Sequence, residues 1–82
     1  MINDIITERI EFLRKKNRLR KIDIAELLRL TPITVSQRLH NHTMWSAEDI
    51  SILADYFGVT TDYIFGRSND GREERSNDTE HP

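Results

Sequence analysis

Within the stretch "TPITVSQRLHN", residues 31–41, two side chains stand one helical turn apart with chemistry suited to base edges. Gln37 carries a hydrogen-bond donor and acceptor side by side, the pair that matches the N6 and N7 edge of adenine in a major groove. Ile33 is apolar and β-branched, a shape that fits a thymine methyl group. If residues 32–40 are helical, Val35 and Leu39 turn to one side and Ile33 and Gln37 point almost directly away, with Thr34 and Ser36 on the flanks. An apolar side chain on the outer face of a surface helix is poorly placed for solvation and well placed against bases. Thr31, Thr34 and Ser36 have hydroxyls that can meet phosphates or bases, and Lys21 and Arg38 have the reach for phosphate. Taken singly, Gln37 is an ordinary surface residue and Lys21 and Arg38 are ordinary solvated charges. Their placement together is what carries the expectation.

That placement depends on Pro32, which interrupts an otherwise continuous helical pattern. Thr31 can cap a helix and Pro32 can occupy its first position, where the missing N–H costs nothing and the fixed φ is already helical. Pro32 also disfavours helical geometry at Thr31, which ends the preceding helix. The segment therefore reads as helix (residues 21–29), tight turn, helix (residues 32–40), the first burying Ile24, Ala25 and Leu28. Upstream, Ile6, Ile10 and Leu13 predict an amphipathic helix, capped by Asn3 or Asp4 and stopped by a left-handed Asn17. Ile5 and Phe12 lie beside that stripe and either widen its buried face or stay exposed. Downstream, Ser46 and Asp49 form a capping box with Trp45 as an apolar staple on Ile50. Ile50, Leu53, Ala54 and Phe57 complete the stripe and Gly58 stops it; Thr60 caps a short helix over residues 61–65, closed by Gly66. No stretch alternates with period two, so the fold class is all-α, one five-helix domain over residues 1–66. The last stretch, "RSNDGREERSNDTEHP", has no Val, Ile, Leu or aromatic residue and predicts a flexible, solvated tail over residues 67–82.

Eighty-two residues allow one small domain without cysteine, hence without disulfide or thiolate-metal support. The net charge of −2 argues against a globally basic polyanion binder, but its distribution is uneven. Between Arg9 and Arg38 there are nine basic residues against Glu11, Asp23 and Glu26, a local balance of +6. From Leu39 to Gly66 there is no Lys or Arg, against Glu48, Asp49, Asp55 and Asp62. Such a dipolar domain can turn one face to a polyanion. Arg18, Arg20 and Arg29 add to Lys21 and Arg38 along one edge as a phosphate-facing rim. No apolar run approaches the ~20 residues of a membrane span and no signal-peptide pattern opens the chain, so a cytoplasmic protein is expected.

The segments "KIDIAELLRLTPITVSQRLHN" and "WSAEDISILADYFGVTTDYIFGR" resemble the Xre/Cro-repressor type of helix-turn-helix domain, over about residues 6–67. The most specific points are Ala25, the Leu30–Thr31 turn, Val35 and the ending "LADYFGVTTDYIFG". The resemblance implies a compact, lambda-repressor-like fold of five short helices that binds operator DNA as a homodimer, in a bacterium or a phage-infected host cell. It implies base reading by Ile33, Gln37, Thr31, Ser36 and Pro32, and phosphate contacts from Lys21, Thr34, Arg38, Arg20, Asn41 and His42. No cofactor and no small-molecule ligand is implied. Three positions depart from the family's usual residues. Arg29 stands for the turn glycine, Lys21 for a phosphate-clamping glutamine, and His40-Asn41-His42 for Asn-Gly after the third helix. A non-glycine residue in left-handed conformation costs roughly 1–2 kcal/mol, so at Arg29 either that strain is borne or the turn differs.

Two other classes compete. A protein-interaction module of antitoxin or antirepressor kind could use the same fold, its partner meeting the acidic span from Glu48 to Asp62 and the tail. An enzyme lacks support, with no glycine-rich phosphate loop, no cysteine nucleophile and no histidine with an evident carboxylate partner. His40 and His42 have the spacing of two loop ligands but no third to complete a metal site.

Overall fold

The computed structural model describes residues 2–68, and within them five α-helices and no strand: α1 (Ile2–Lys16), α2 (Lys21–Leu28), α3 (Pro32–Leu39), α4 (Ala47–Phe57) and α5 (Thr61–Ile64). Of the expected tail, all but Arg67 and Ser68 lies outside the described residues. The core gathers Ile6, Ile10 and Leu13 of α1, Ile24, Ala25 and Leu28 of α2 and Val35 of α3. Trp45, then Ile50, Leu53 and Ala54 of α4, Val59, and Tyr63 and Ile64 at the end complete it. Phe57 and Phe65 pack against this cluster from its rim, and Ile5 and Phe12 stay exposed. α2 packs most closely on α3, and α4 lies against α2 and α5.

Short helices have a large share of their backbone groups at the ends, and those ends are closed by local chemistry. Ser46 Oγ accepts from the Asp49 amide at 3.0 Å while Asp49 Oδ2 accepts from the Ser46 amide at 3.2 Å. Thr60 Oγ1 accepts from the Tyr63 amide at 3.0 Å. At the start of α2 the N-cap is Arg20, which offers no side-chain acceptor, and Asp23 Oδ2 reaches back to the Arg20 amide at 2.7 Å. All five C-termini close in the same way. The residue in left-handed conformation donates back three positions, and the next residue donates back five. The left-handed residues are Arg18, Arg29, Asn41, Gly58 and Gly66. Their following amides, from Leu19, Leu30, His42, Val59 and Arg67, reach the carbonyls of Arg14, Ala25, Gln37, Ala54 and Asp62.

Two terminal expectations are corrected. Asn17 is not the left-handed stop of α1; Arg18 is, with φ 59°, while the Asn17 carboxamide donates to the Leu13 carbonyl at 2.8 Å. Asn3 and Asp4 lie inside the first turn of α1 and not before it, and the Asn3 side chain serves a distant loop. At the turn, Arg29 has φ 58° and ψ 42°, so the strain of a non-glycine residue is borne. Glu11 and Arg14 form a two-pronged pair, Nε to Oε2 and Nη2 to Oε1, both 2.8 Å, and Arg14 Nη1 donates to the Leu19 carbonyl at 2.9 Å. This pair ties the last turn of α1 to the segment that leads into α2. The hydrogen bond from Arg14 holds the Glu11 carboxyl below its ordinary value of 4.5, against the opposing effect of burial.

Arg29 is exposed, so glycine there removes strain and loses little contact. Arg29→Gly should raise stability by about 0.5–1 kcal/mol after the entropy of the freer unfolded chain is subtracted. Urea denaturation should show a higher midpoint with an unchanged slope. For Glu11 the folded-state pKa is depressed, so its contribution is full above the ordinary value and vanishes as pH falls through the folded one. The stability gap between the wild type and Glu11→Gln should be open at neutral pH and close as pH is lowered through and below the ordinary value of 4.5. A gap that stays constant across that window would deny the pair its role.

Candidate nucleic-acid interface

α3 starts with Thr31 in extended conformation, its Oγ1 accepting from the Thr34 amide at 3.2 Å and lying 2.9 Å from the Thr34 hydroxyl. Pro32 takes the first helical position, as the spacing predicts. The inner face is anchored by Val35, 0% exposed, with Leu39 partly buried beside it. On the outer face Ile33 is 71% exposed and Gln37 is exposed. The chain thus leaves that edge bare. Ser36 and His40 flank it, His40 Nδ1–H donating to the Ser36 carbonyl at 2.8 Å. That bond leaves Nε2 as the acceptor of the neutral ring.

The basic residues expected around this edge divide into two groups. Lys21 is exposed at the first position of α2, and Arg20 is exposed just before it. Arg20 donates to Asp23 Oδ1 at 3.2 Å, and this hydrogen bond holds the Asp23 carboxyl below its usual range. An exposed pair of this kind is weak and can be exchanged for another anion. Two cations at a helix N-terminus work against the helix dipole, which itself favours an anion there. Thr34 and His42 are placed at either end of α3, Thr34 partly buried and His42 exposed.

Arg38, expected as a phosphate contact, is paired within the chain. Its side chain is 17% exposed and its Nη1 donates to Asp49 Oδ2, with the Met44 carbonyl 3.5 Å away. On the helix it lies closer to Val35 than to Gln37, so it turns inward toward the start of α4. The acidic residue waiting there, Asp49, already belongs to the cap of α4. Asn41 is likewise committed to the fold. It is left-handed at φ 63°, and its Oδ1 accepts from Asn3 Nδ2 at 2.8 Å and from the Thr7 hydroxyl at 2.7 Å. Thr7 in turn accepts from the Trp45 indole N–H at 2.9 Å, and Asn3 Oδ1 accepts from the Trp45 amide at 3.3 Å.

Asn3, Thr7 and Asp49 were not among the expected site residues. The one sequence signal for Thr7 is a polar residue at the edge of the Ile6–Ile10 stripe, where it is now 7% exposed. His40 and His42 have ring centroids 6.1 Å apart, and among the described residues no three His, Cys, Asp or Glu side chains gather as metal ligands. Among the described residues no helix is long and apolar enough to cross a membrane.

No match is found among curated proteins or among solved structures. A family model described as Helix-turn-helix does match, over residues 10–64. That span takes in the second half of α1 and all of α2 to α5, with the turn at Arg29 and the bare edge of α3 inside it. The chain therefore belongs to the Xre/Cro-like helix-turn-helix family, a family of DNA-binding regulators.

Proposed function

We propose that this protein is a sequence-specific, non-catalytic transcriptional regulator of the phage Cro/repressor kind, acting in the cytoplasm of a bacterium or phage-infected cell. It binds operator DNA as a homodimer and seats α3 in the major groove. The observation that carries the reading is the exposure of Ile33, 71%, on a helix whose opposite face holds Val35 at 0%. Ile33 meets thymine methyl groups and Gln37 pairs with an adenine edge, with Thr31, Pro32 and Ser36 close to the bases. Lys21, Arg20, Thr34 and His42 meet phosphates, and the backbone of the Asn41 loop sets how His42 approaches. Arg38 is left out of the phosphate set because Asp49 holds it.

A single eight-residue helix touches few base pairs. Two copies on half-sites about 10 base pairs apart give the discrimination that one cannot. The bound dimer acts by standing in, or beside, the path of polymerase at a promoter. The uneven charge supports this reading, because phosphate neutralisation releases counterions and makes affinity fall with salt.

Selection from random duplexes is the direct test. It should enrich a two-fold symmetric site, and a pool that stays random defeats the proposal. Steep salt dependence is expected with it; weak, salt-insensitive DNA binding would favour a protein-interaction module instead. On the selected site, Gln37→Ala should cost about 1–3 kcal/mol and relax preference at one base position, with random-duplex affinity unchanged. Lys21→Ala should weaken selected and random duplexes alike and reduce the salt slope by about one. Equal losses on both duplexes for Gln37→Ala would remove direct readout by that side chain.

A further inference from the structure

Asp49 serves two helices at once. Its carboxylate closes the capping box of α4 with Ser46, and the same Oδ2 accepts from Arg38 on α3. The carboxylate is 6% exposed as a residue, and it cannot swing away without opening the first turn of α4. α3 packs mainly on α2 and, to a lesser degree, on α1, and this ion pair links it to α4. Arg38 directly follows Gln37, and its carbonyl lies 3.4 Å from the Thr7 hydroxyl of α1. The C-terminal half of α3 is therefore held from two sides, immediately behind the residue that reads a base.

The pair is a poor device for stability alone. Arg38 Nε is buried without a hydrogen-bond partner, a cost that an apolar side chain of similar size would avoid. Buried ion pairs are often no better for stability than packed apolar groups, and their attested use is to select one arrangement. The geometry makes such selection useful here. A rotation of α3 by about 10° moves a side-chain tip some 6 Å from its axis by about 1 Å, beyond the tolerance of a two-pronged hydrogen bond. We propose that Asp49, acting through Arg38, is a positioning residue that sets how α3 presents Gln37 and so fixes base preference. The inference rests on the DNA-reading function proposed above.

The test compares affinities of the full chain for a selected site and for a random duplex, each across a range of salt. Asp49→Asn keeps an acceptor for the Ser46 amide and removes the charge that holds Arg38. Arg38→Met keeps bulk and removes the cation. Each should shrink the ratio of selected to random affinity by about tenfold, by loosening the Gln37 contact. Neither should change the salt slope. Circular dichroism confirms that each variant is folded at the assay temperature. If either unfolds, Arg38→Lys, which keeps the charge and loses the geometry, should reduce the ratio in the same way. The opposite pattern overturns the proposal. If Asp49→Asn strengthens both duplexes and Arg38→Met lowers the salt slope by about one, Arg38 contacts phosphate and Asp49 merely restrains it. An unchanged ratio in the folded variants also overturns it, and leaves the DNA-reading function standing. A wild type without a preferred site overturns both.

Discussion

A helix that keeps one face bare has to be held entirely by the other, and in α3 that other face has one fully buried side chain, Val35. Eight residues with a single deep anchor would rock against α2 if packing were the only restraint. Leu39 adds partly buried apolar contact, and the directional hold comes from polar groups at the helix ends. Thr31 closes the start, Arg38 reaches to Asp49 from within the last turn, and Asn41 is gripped by Asn3 and Thr7 just beyond the end. Polar contacts are directional where apolar contacts are not, so they define an orientation that one valine cannot. The exposure of Ile33 is the consequence of putting all the restraint behind it.

The same logic of ends runs through the whole domain. Helices of four to fifteen residues contribute little by propensity, and closing their termini decides where each one stops. Every helix turns off through a left-handed residue, and only two of those five residues are glycine. Arg18 and Arg29 accept the strain in positions where their side chains remain in solvent near the basic edge. At Arg29 the cost in stability and the positive charge placed just before α3 come from one residue. The Glu11–Arg14 pair shows the opposite use of charge, a structural clasp whose cation is taken out of the basic edge.

Charge is therefore sorted by the fold as well as by the order of residues. Of the nine basic residues between Arg9 and Arg38, Arg9 stacks on the Tyr63 ring, Arg14 clasps Glu11 and Arg38 answers Asp49. Lys21, Arg18 and Arg29 stay exposed, and Arg20 stays exposed with only a surface pair. A net charge of −2 is compatible with polyanion binding because exposed cations recur from the last turn of α1, at Lys15 and Lys16, through the start of α2 to the turn at Arg29.

By itself the sequence determined the five helices, most of their caps, the turn at Pro32 and the outward direction of Ile33 and Gln37. Each of these is a signal among residues within about four positions of one another, where backbone geometry leaves few alternatives. The tension at Arg29 was also visible, since no local rule excuses a non-glycine residue there. Only the tertiary structure decided what Arg38, Asn41, Asn3 and Thr7 touch. Arg38 finds Asp49 eleven positions away, and Asn3 finds Asn41 thirty-eight positions away. A helical wheel gives the direction of a side chain and says nothing of what another helix brings to meet it. A long cation at the border between buried and bare could have answered a phosphate or a carboxylate, and the choice was made by the crossing of α3 and α4.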